Sequence, residues 1–242
     1  MIVLSVGMPR AGSGWHYNLI HDLMKTAGAT DAREIRERYR LQRFLTEVNF
    51  NIGVLSARRL ALVTVPALMG NTFVIKAHAA PTFASRLLQR VGLLRITYIY
   101  RDPRDTVLSA YEYGQRALAK GRPNAFSHLT GFQKSVEFTL NYVRIWEKWT
   151  QEKDVLIARY EDMLTNYDQE VARLVNFLKL DGSKPDVQSV IAAYRPEAAE
   201  GQKGLHFNKG QIGRFREVYT VEEQAILNEI LGPYLERMGY KV

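Results

Sequence analysis

The chain opens on Ile2-Val3-Leu4-Ser5-Val6-Gly7-Met8-Pro9-Arg10-Ala11-Gly12-Ser13-Gly14-Trp15, the stretch that decides the fold. A short, largely apolar strand is followed by a basic turn with glycines, and a helical pattern runs from Ser13 to Lys25. Backbone N–H groups at the start of a helix point into such a turn, and the helix dipole favours negative charge there. The stretch therefore predicts a phosphate site, to which Arg10 adds positive charge.

The glycine spacing is close to that of a nucleoside-triphosphate loop, G-x-x-x-x-G-K-[ST]. Gly7 and Gly12 have the right separation, but Ser13 and Gly14 stand where the lysine and the magnesium-binding Ser/Thr belong. We therefore expect a phosphate cradle without the parts that handle ATP. Glycines can also serve a strand-to-helix turn for purely structural reasons, so this alternative stays open for the loop taken alone.

Charge and composition narrow the class of ligand. The formal net charge of +8 favours an anionic ligand or partner, and the absence of cysteine excludes thiolate catalysis, disulfides and cysteine-bound metals. One dense group of arginines fits the solvated face of a helix, because no nucleic-acid-binding motif accompanies it. This group comprises Arg33, Arg36, Arg38, Arg40 and Arg43. We predict a cytoplasmic protein without a signal peptide, a membrane span or a nucleic-acid partner.

Short apolar runs alternate with helical patterns along the chain. The predicted strands are Ile2–Val6, Thr72–Lys76, Arg95–Tyr100 and Val155–Tyr160. The predicted helices are Ser13–Lys25, Pro81–Val91, Pro103–Ala119, Phe132–Thr150 and Asn166–Leu180. This order predicts an α/β fold, a P-loop-like three-layer sandwich whose central, mostly parallel sheet is flanked by helices, with residues 1–242 as a single domain. Ligands of such sheets bind at the carboxyl ends of the strands.

Charged residues follow the second and third predicted strands. Lys76 and His78 lie two apart, so they point the same way if the strand continues through them. His78 is then a candidate general base, and a hydrogen-bonded histidine at a strand end is the alternative. Arg101 leaves the third strand at the same edge, and Ser109 lies about two turns into the next helix, so the two could hold a second phosphate.

Two further segments stand out in the second half of the chain. Residues 207–216 form a basic loop with two glycines, suited to phosphate, with a plain surface loop as the alternative. The predicted helix at 132–150 has an aromatic stripe, which we interpret as core rather than as a ligand site. The stripe consists of Phe138, Tyr142, Trp146 and Trp149.

Taken together, these segments resemble the cytosolic-type sulfotransferases, which use 3′-phosphoadenosine 5′-phosphosulfate (PAPS). The similar segments occur in the family's order. They are Pro9–Trp15 for the 5′-phosphosulfate loop P-K-S-G-T-T-W, Lys76–His78 for K-x-H, Arg101–Asp105 with Ser109 and Tyr111 for R-N-P-K-D-x-x-x-S-x-Y, Tyr160–Met163 for Y-E-D-M, and Asn208–Gly210 with Gly213, Phe215 and Arg216 for R-K-G-x-x-G-x-W-K.

The resemblance implies transfer of a sulfuryl group from PAPS to a hydroxyl or amine, with adenosine 3′,5′-bisphosphate (PAP) as product and without a metal. It implies His78 as general base, and Arg10 and Lys76 as the cations that stabilise the transferring group. The residues implied to bind the donor are Arg10, Ala11, Gly12, Ser13, Gly14 and Trp15 around the 5′-phosphate and adenine, Tyr160 at the adenine, and Arg101, Ser109, Asn208, Lys209 and Gly210 around the 3′-phosphate.

Three positions depart from the family motifs. Arg10 replaces a lysine, Gly14 a threonine and Asn208 an arginine, and an arginine is not a simple substitute for a lysine. A catalytically weak nucleotide-binding homologue therefore stays open, as does a P-loop kinase or NTPase, against which the missing Walker lysine argues. The acceptor class is open among small molecules, lipids and sugars. The segments expected to line the acceptor pocket are about 28–70, 78–84 and 112–132, and their aromatics include Tyr39, Phe44, Phe50, Phe83, Tyr113 and Phe126. The sequence is compatible with a homodimer.

Overall fold

A computed structural model describes residues 1–199 and 210–242 of the chain. Within these ranges lies a four-stranded sheet in the order β2-β1-β3-β4, and every pairing is parallel. The strands are β1 (Ile2–Gly7), β2 (Phe73–Ala77), β3 (Leu94–Tyr100) and β4 (Val155–Arg159). The predicted parallel sheet is confirmed, and each predicted strand is correct to within one residue at either end.

Helices connect and cover the strands. In the described ranges they are α1 (Ser13–Thr26), α2 (Ala32–Arg38), α3 (Ala57–Leu68), α4 (Phe83–Arg90), α5 (Pro103–Ala119), α6 (Phe132–Thr150), α7 (Tyr160–Thr165), α8 (Tyr167–Leu178), α9 (Pro185–Ala193), α10 (Pro196–Ala199), α11 (Phe215–Val218) and α12 (Val221–Leu235). The five predicted helices are α1, α4, α5, α6 and α8. Tyr160, predicted as the last residue of a strand, instead begins α7.

The sheet is covered on both faces. Every residue of β1 and β2 is buried, as expected for parallel strands that lie between layers of helices. Helix α1 packs on the three strands β1, β2 and β3, whereas α6 and α8 pack on β4. This arrangement confirms the α/β class with a central sheet flanked by helices, while the assignment of residues 1–242 to one domain stays a prediction.

The arginine group lies only partly on a helix, because α2 (Ala32–Arg38) ends before Arg40 and Arg43, so the interpretation as one helical face is only partly correct. Helix α2 begins at an Asp31 cap, and its Arg33 and Arg38 are exposed, the latter paired with Glu34 one turn away.

No helix within residues 1–199 and 210–242 has the length and apolar character needed to cross a membrane.

Parallel strands bring the chemically important segments together. The carboxyl ends of the four strands are Gly7, Ala77, Tyr100 and Arg159, and neighbouring ends lie within one residue of each other in register, at one edge of the sheet. The glycine loop, His78, Arg101 and Tyr160 each follow one of these ends directly. The topology therefore assembles one site from segments that are far apart in the sequence.

Candidate functional site

A cavity of about 210 Å³ opens at the carboxyl edge of the sheet. It is lined by most of the residues that the sequence singles out, namely Arg10, Gly12, Ser13, Gly14, Trp15, Lys76, His78, Arg101, Ser109, Tyr160 and Gly210. Ala11 is fully buried within the glycine loop. Asn208 and Lys209 lie outside the described residues. The structure thus brings the predicted residues to one place, and their individual roles remain predictions.

The glycine loop has the backbone of an anion site. Arg10 and Gly12 have φ angles of +67° and +74°, so the chain turns through left-handed conformations before α1 begins. Helix α1 has no side-chain cap, which leaves its first N–H groups for an external acceptor. A Cβ on Gly12 would lie 2.5 Å from Cδ2 of Tyr160, so only glycine fits between the loop and this ring.

His78 is held in one tautomer by the main chain. Its Nδ1 lies 2.6 Å from the carbonyl oxygen of Gly7, which can only accept, so Nδ1 carries the proton. The Nε2 lone pair is therefore left for a substrate in the cavity. Burial and the charge of Lys76 lower the pKa of His78 to about 4, so the ring is neutral near pH 7. This is the state that a general base requires.

Lys76 is a buried cation at the same end of the cavity. Only 6% of the residue is exposed, and burial together with the charge of Arg10 lowers its pKa to about 8. Behind it lies His16, which is fully buried and whose pKa is lowered to about 3 by burial and by Lys76. The Nδ1 of His16 lies 3.4 Å from the Ser5 hydroxyl, and its Nε2 has no hydrogen-bond partner in the described part of the chain.

We expect His16 and His78, whose pKa values are both lowered in the folded protein, to make the protein sensitive to acid. Between about pH 6.5 and pH 4 only the unfolded chain takes up their protons, so the free energy of unfolding falls as the pH falls, by about 1.4 kcal/mol per pH unit for each histidine. Urea unfolding from pH 7.5 to pH 4.5 measures this slope. His16→Leu should remove the share of His16, and the same variant at pH 7.5 controls for packing. An unchanged slope in His16→Leu would contradict the prediction.

Arg101 lies at the other end of the cavity. Its Nη2 donates to Asp105 at 3.0 Å and to the carbonyl oxygen of Gln211 at 2.7 Å, and its guanidinium lies 4.8 Å from the centroid of the Tyr160 ring. Its Nε is buried and, within residues 1–199 and 210–242, has no partner. A buried donor of this kind calls for an acceptor from outside, because leaving it unpaired costs free energy.

Asp105 ties this end of the cavity to the C-terminal segment. Besides Arg101, it accepts hydrogen bonds from the backbone N–H groups of Gly213 at 2.8 Å and Phe215 at 3.0 Å. The same turn contributes Gly210 and Gln211 to the cavity lining. Asp105 was identified from the sequence only as the end of the motif Arg101–Asp105, because its partners Gly213 and Phe215 lie 108 and 110 residues away.

Trp15 and Tyr160 form the floor of the cavity. The Trp15 side chain is fully buried: its ring stacks on Tyr167 at 6.1 Å, meets Tyr160 edge-on at 6.4 Å, and its Nε1 donates to the carbonyl oxygen of Tyr194. The resemblance implied that Trp15 stacks on adenine. In this structure the Trp15 side chain is fully buried, and the stacking of an adenine on it stays a prediction.

An aromatic wall extends from the cavity along α5 and α6. It runs from Tyr113 through Phe126 and Phe138 to Tyr142, whose ring lies edge-on to His78 at 6.4 Å. Half of the α6 stripe therefore lies beside the site. Trp146 and Trp149 are buried in the core as interpreted, whereas Phe138 and Tyr142 are only half-buried.

Four further lining residues were not singled out individually from the sequence, namely Val48, Asn49, Gln211 and Arg214. Gln211 and Arg214 belong to the loop at 207–216 that was predicted to suit phosphate. Val48 and Asn49 belong to a loop without a recognisable motif, and Arg214 is paired with Glu112. Of the aromatics in the expected acceptor segments, Tyr113 and Phe126 line the cavity. Its lining does not include Tyr39, Phe44, Phe50 or Phe83, and Phe83 is 76% exposed on α4.

No group of three or more His, Asp or Glu side chains within residues 1–199 and 210–242 is arranged to hold a metal ion. The metal-independence implied by the resemblance stays a prediction.

The chain is similar in sequence to known sulfotransferases. The family model described as the sulfotransferase domain matches residues 2–239. Sulfotransferase 6B1 of Danio rerio is 22% identical over 242 residues, which cover 94% of this chain and 76% of that protein. Cytosolic sulfotransferase 1 of Danio rerio is 26% identical over 164 residues, covering 60% of this chain and 54% of that protein. The match to the latter thus spans about half of its length.

Solved structures share the fold. Mouse sulfotransferase SULT7A1, complexed with PAP, superposes with a TM-score of 0.59 at 16% identity, covering 97% of this chain and 84% of that one. Retinol dehydratase, in a complex with retinol and PAP, gives a TM-score of 0.61 at 16% identity, covering 100% and 83%. These likenesses confirm the predicted P-loop-like α/β sandwich.

Proposed function

The chain belongs to the sulfotransferase domain family, and from that membership we propose that it transfers a sulfuryl group from PAPS to an acceptor hydroxyl or amine. The observation that carries the proposal is the cavity, which has a helix N-terminus, an unpaired buried arginine nitrogen and a tautomer-fixed histidine in its lining. A generic phosphate loop needs neither of the last two.

The residues of the cavity fit a donor with two phosphate groups. At one end, the uncapped start of α1 offers N–H groups of Ser13 and Gly14 to a 5′-phosphate. At the other end, the unpaired Nε of Arg101 and the Ser109 hydroxyl offer donors to a 3′-phosphate. Both structural relatives described above are complexes with PAP, which supports this assignment.

His78 and Lys76 have separate roles in the proposed sulfuryl transfer. The Nε2 of His78 takes the acceptor proton while the new S–O bond forms and the bond between sulfur and the 5′-phosphate oxygen breaks. The Lys76 ammonium, buried at the same end, stabilises the negative charge that develops on the transferring group and on the leaving oxygen. When bound, PAPS supplies the activated sulfuryl group.

The aromatic wall favours an acceptor with apolar surface beside its reacting hydroxyl or amine. Phe126, Phe138 and Tyr142 lead from the cavity to the His78 ring and present rings rather than charges. The retinol bound to retinol dehydratase is consistent with such an acceptor. A sugar without apolar surface would find few partners on this wall.

A cytoplasmic location stays part of the proposal.

Calorimetric titration with PAP in EDTA tests the proposal, with 5′-AMP and magnesium-ATP as controls. We expect metal-free binding of PAP that is tighter than binding of 5′-AMP by roughly 10-fold or more, because the 3′-phosphate adds charge-assisted hydrogen bonds. Absence of PAP binding, or binding of ATP that requires magnesium, would refute a PAPS-dependent sulfotransferase. The second result would favour a P-loop kinase or NTPase.

A further inference from the structure

We infer that Arg10 binds the 3′-phosphate of the donor and thereby sets the preference for a 3′-phosphorylated nucleotide. The inference rests on the proposed function and refines it. The resemblance of the glycine loop implied that Arg10 acts at the sulfuryl group, together with Lys76. The geometry of the side chain points to the opposite end of the donor.

The guanidinium of Arg10 is directed towards Ser109. Its Nε donates to the Ser109 hydroxyl at 3.4 Å, and its central carbon lies 4.1 Å from the centroid of the Tyr113 ring. The hydrogen bond and the ring contact together orient the plane of the guanidinium. The two terminal nitrogens have no hydrogen bond or carboxylate partner among residues 1–199 and 210–242. A fork of donors is therefore left for a ligand that sits against Ser109.

The charges around Arg10 call for an anion at this position. Arg101 is paired with Asp105, and Arg116 is paired with Glu112, but the part of the chain that the structure describes holds no acidic partner for Arg10. Burial, together with the charges of Arg116 and Arg101, lowers the pKa of Arg10 to about 10 against opposing contributions from Tyr113 and Tyr160. A desolvated cation beside other cations is costly without a counter-ion.

A phosphate monoester is the anion that fits this position best. It carries close to two negative charges and three acceptor oxygens, and an arginine fork can bind two of them at once. The same oxygens can accept from the unpaired Nε of Arg101 and from the Ser109 hydroxyl. Lys76 and His78 remain at the sulfuryl end, so the cations divide between the two ends of the donor.

Calorimetry with PAP and 5′-AMP distinguishes a role of Arg10 at the 3′-phosphate from a role at the 5′-phosphate, since the two ligands differ only in the 3′-phosphate. For Arg10→Gln we expect affinity for PAP to fall roughly 10- to 100-fold, and affinity for 5′-AMP to fall less than about threefold. Arg116→Gln is the matched control. It removes a neighbouring positive charge that does not line the cavity and is 43% exposed in its side chain, so both affinities should change little.

The outcomes distinguish this inference from the proposed function. Equal weakening of PAP and 5′-AMP in Arg10→Gln would overturn the inference, because Arg10 would then act at the shared 5′ end. A wild-type protein that does not prefer PAP would overturn the proposed function and the inference with it.

Arg10→Lys keeps the charge and loses the fork, so its ratio of PAP to 5′-AMP affinity should fall several-fold. An unchanged ratio in Arg10→Lys would count against a fork on the 3′-phosphate, even if Arg10→Gln fails to fold.

Discussion

Replacing His78 by alanine should lower the rate of sulfuryl transfer by about 10²- to 10⁴-fold and leave the affinity for PAP within about twofold of wild type. The rate falls because the Nε2 of His78 is the group positioned to take the acceptor proton, with its tautomer fixed by the Gly7 carbonyl. Binding of PAP persists because the phosphate contacts come from the glycine loop and from Arg101. Initial rates at saturating acceptor and calorimetry with PAP measure the two quantities separately.

His21→Ala provides the matched control for this experiment. His21 lies on α1, outside the cavity, and is hydrogen-bonded to Asp22. Its replacement should leave the rate within about twofold, as expected for a substitution outside the site. A His78→Ala protein that binds PAP and retains the wild-type rate would show that another group takes the acceptor proton.

The pH dependence of the rate should show the titration of both His78 and Lys76. The rate should rise as the pH increases through about 4, where His78 loses its proton, and fall above about pH 8, where Lys76 loses its charge. In Lys76→Gln the alkaline limb should disappear along with most of the activity. An alkaline limb that persists in Lys76→Gln would assign it to another group.

The strands and the site segments could be predicted because their signals are local. A buried parallel strand is a short apolar run, so β1 to β4 can be predicted from short stretches of the sequence. Parallel strands then place Gly7, Ala77, Tyr100 and Arg159 at one edge, whatever the details of the connections. Much of the candidate site follows from that single rule.

The rest of the site depends on contacts between distant segments. The direction of the Arg10 side chain depends on Ser109 and Tyr113, about a hundred residues along the chain, and on a positive φ that is uncommon for an arginine. The burial of Trp15 depends on Tyr167 in the same way. Helix α11 was missed because it has only four residues and depends on packing rather than on a periodic pattern. The longer helices α3 and α12 were missed as well, and each contains a proline, Pro66 or Pro233, which is unfavourable inside a helix.

Replacing Asp105 by asparagine should lower the free energy of unfolding by about 3 kcal/mol and weaken the binding of PAP by roughly 10-fold. The carboxylate is 1% exposed and accepts from Arg101, Gly213 and Phe215, all of which are donors. An amide of the same shape turns one oxygen into an NH₂ group that faces a donor, and it leaves the buried Arg101 without a counter-ion. Asp168→Asn is the control, because Asp168 has 73% of its side chain exposed and should cost little.

The direction of the change in PAP affinity distinguishes two roles of Asp105. A carboxylate that only neutralised Arg101 would compete with a phosphate, so its removal would strengthen the binding of PAP. A carboxylate that holds Arg101 and the turn at 210–215 in place positions the donors of the 3′-phosphate end, so its removal weakens that binding. The three hydrogen bonds favour the second role, since two of them go to the backbone of the turn rather than to Arg101. Tighter binding of PAP by Asp105→Asn, measured on folded protein, would reverse this assignment.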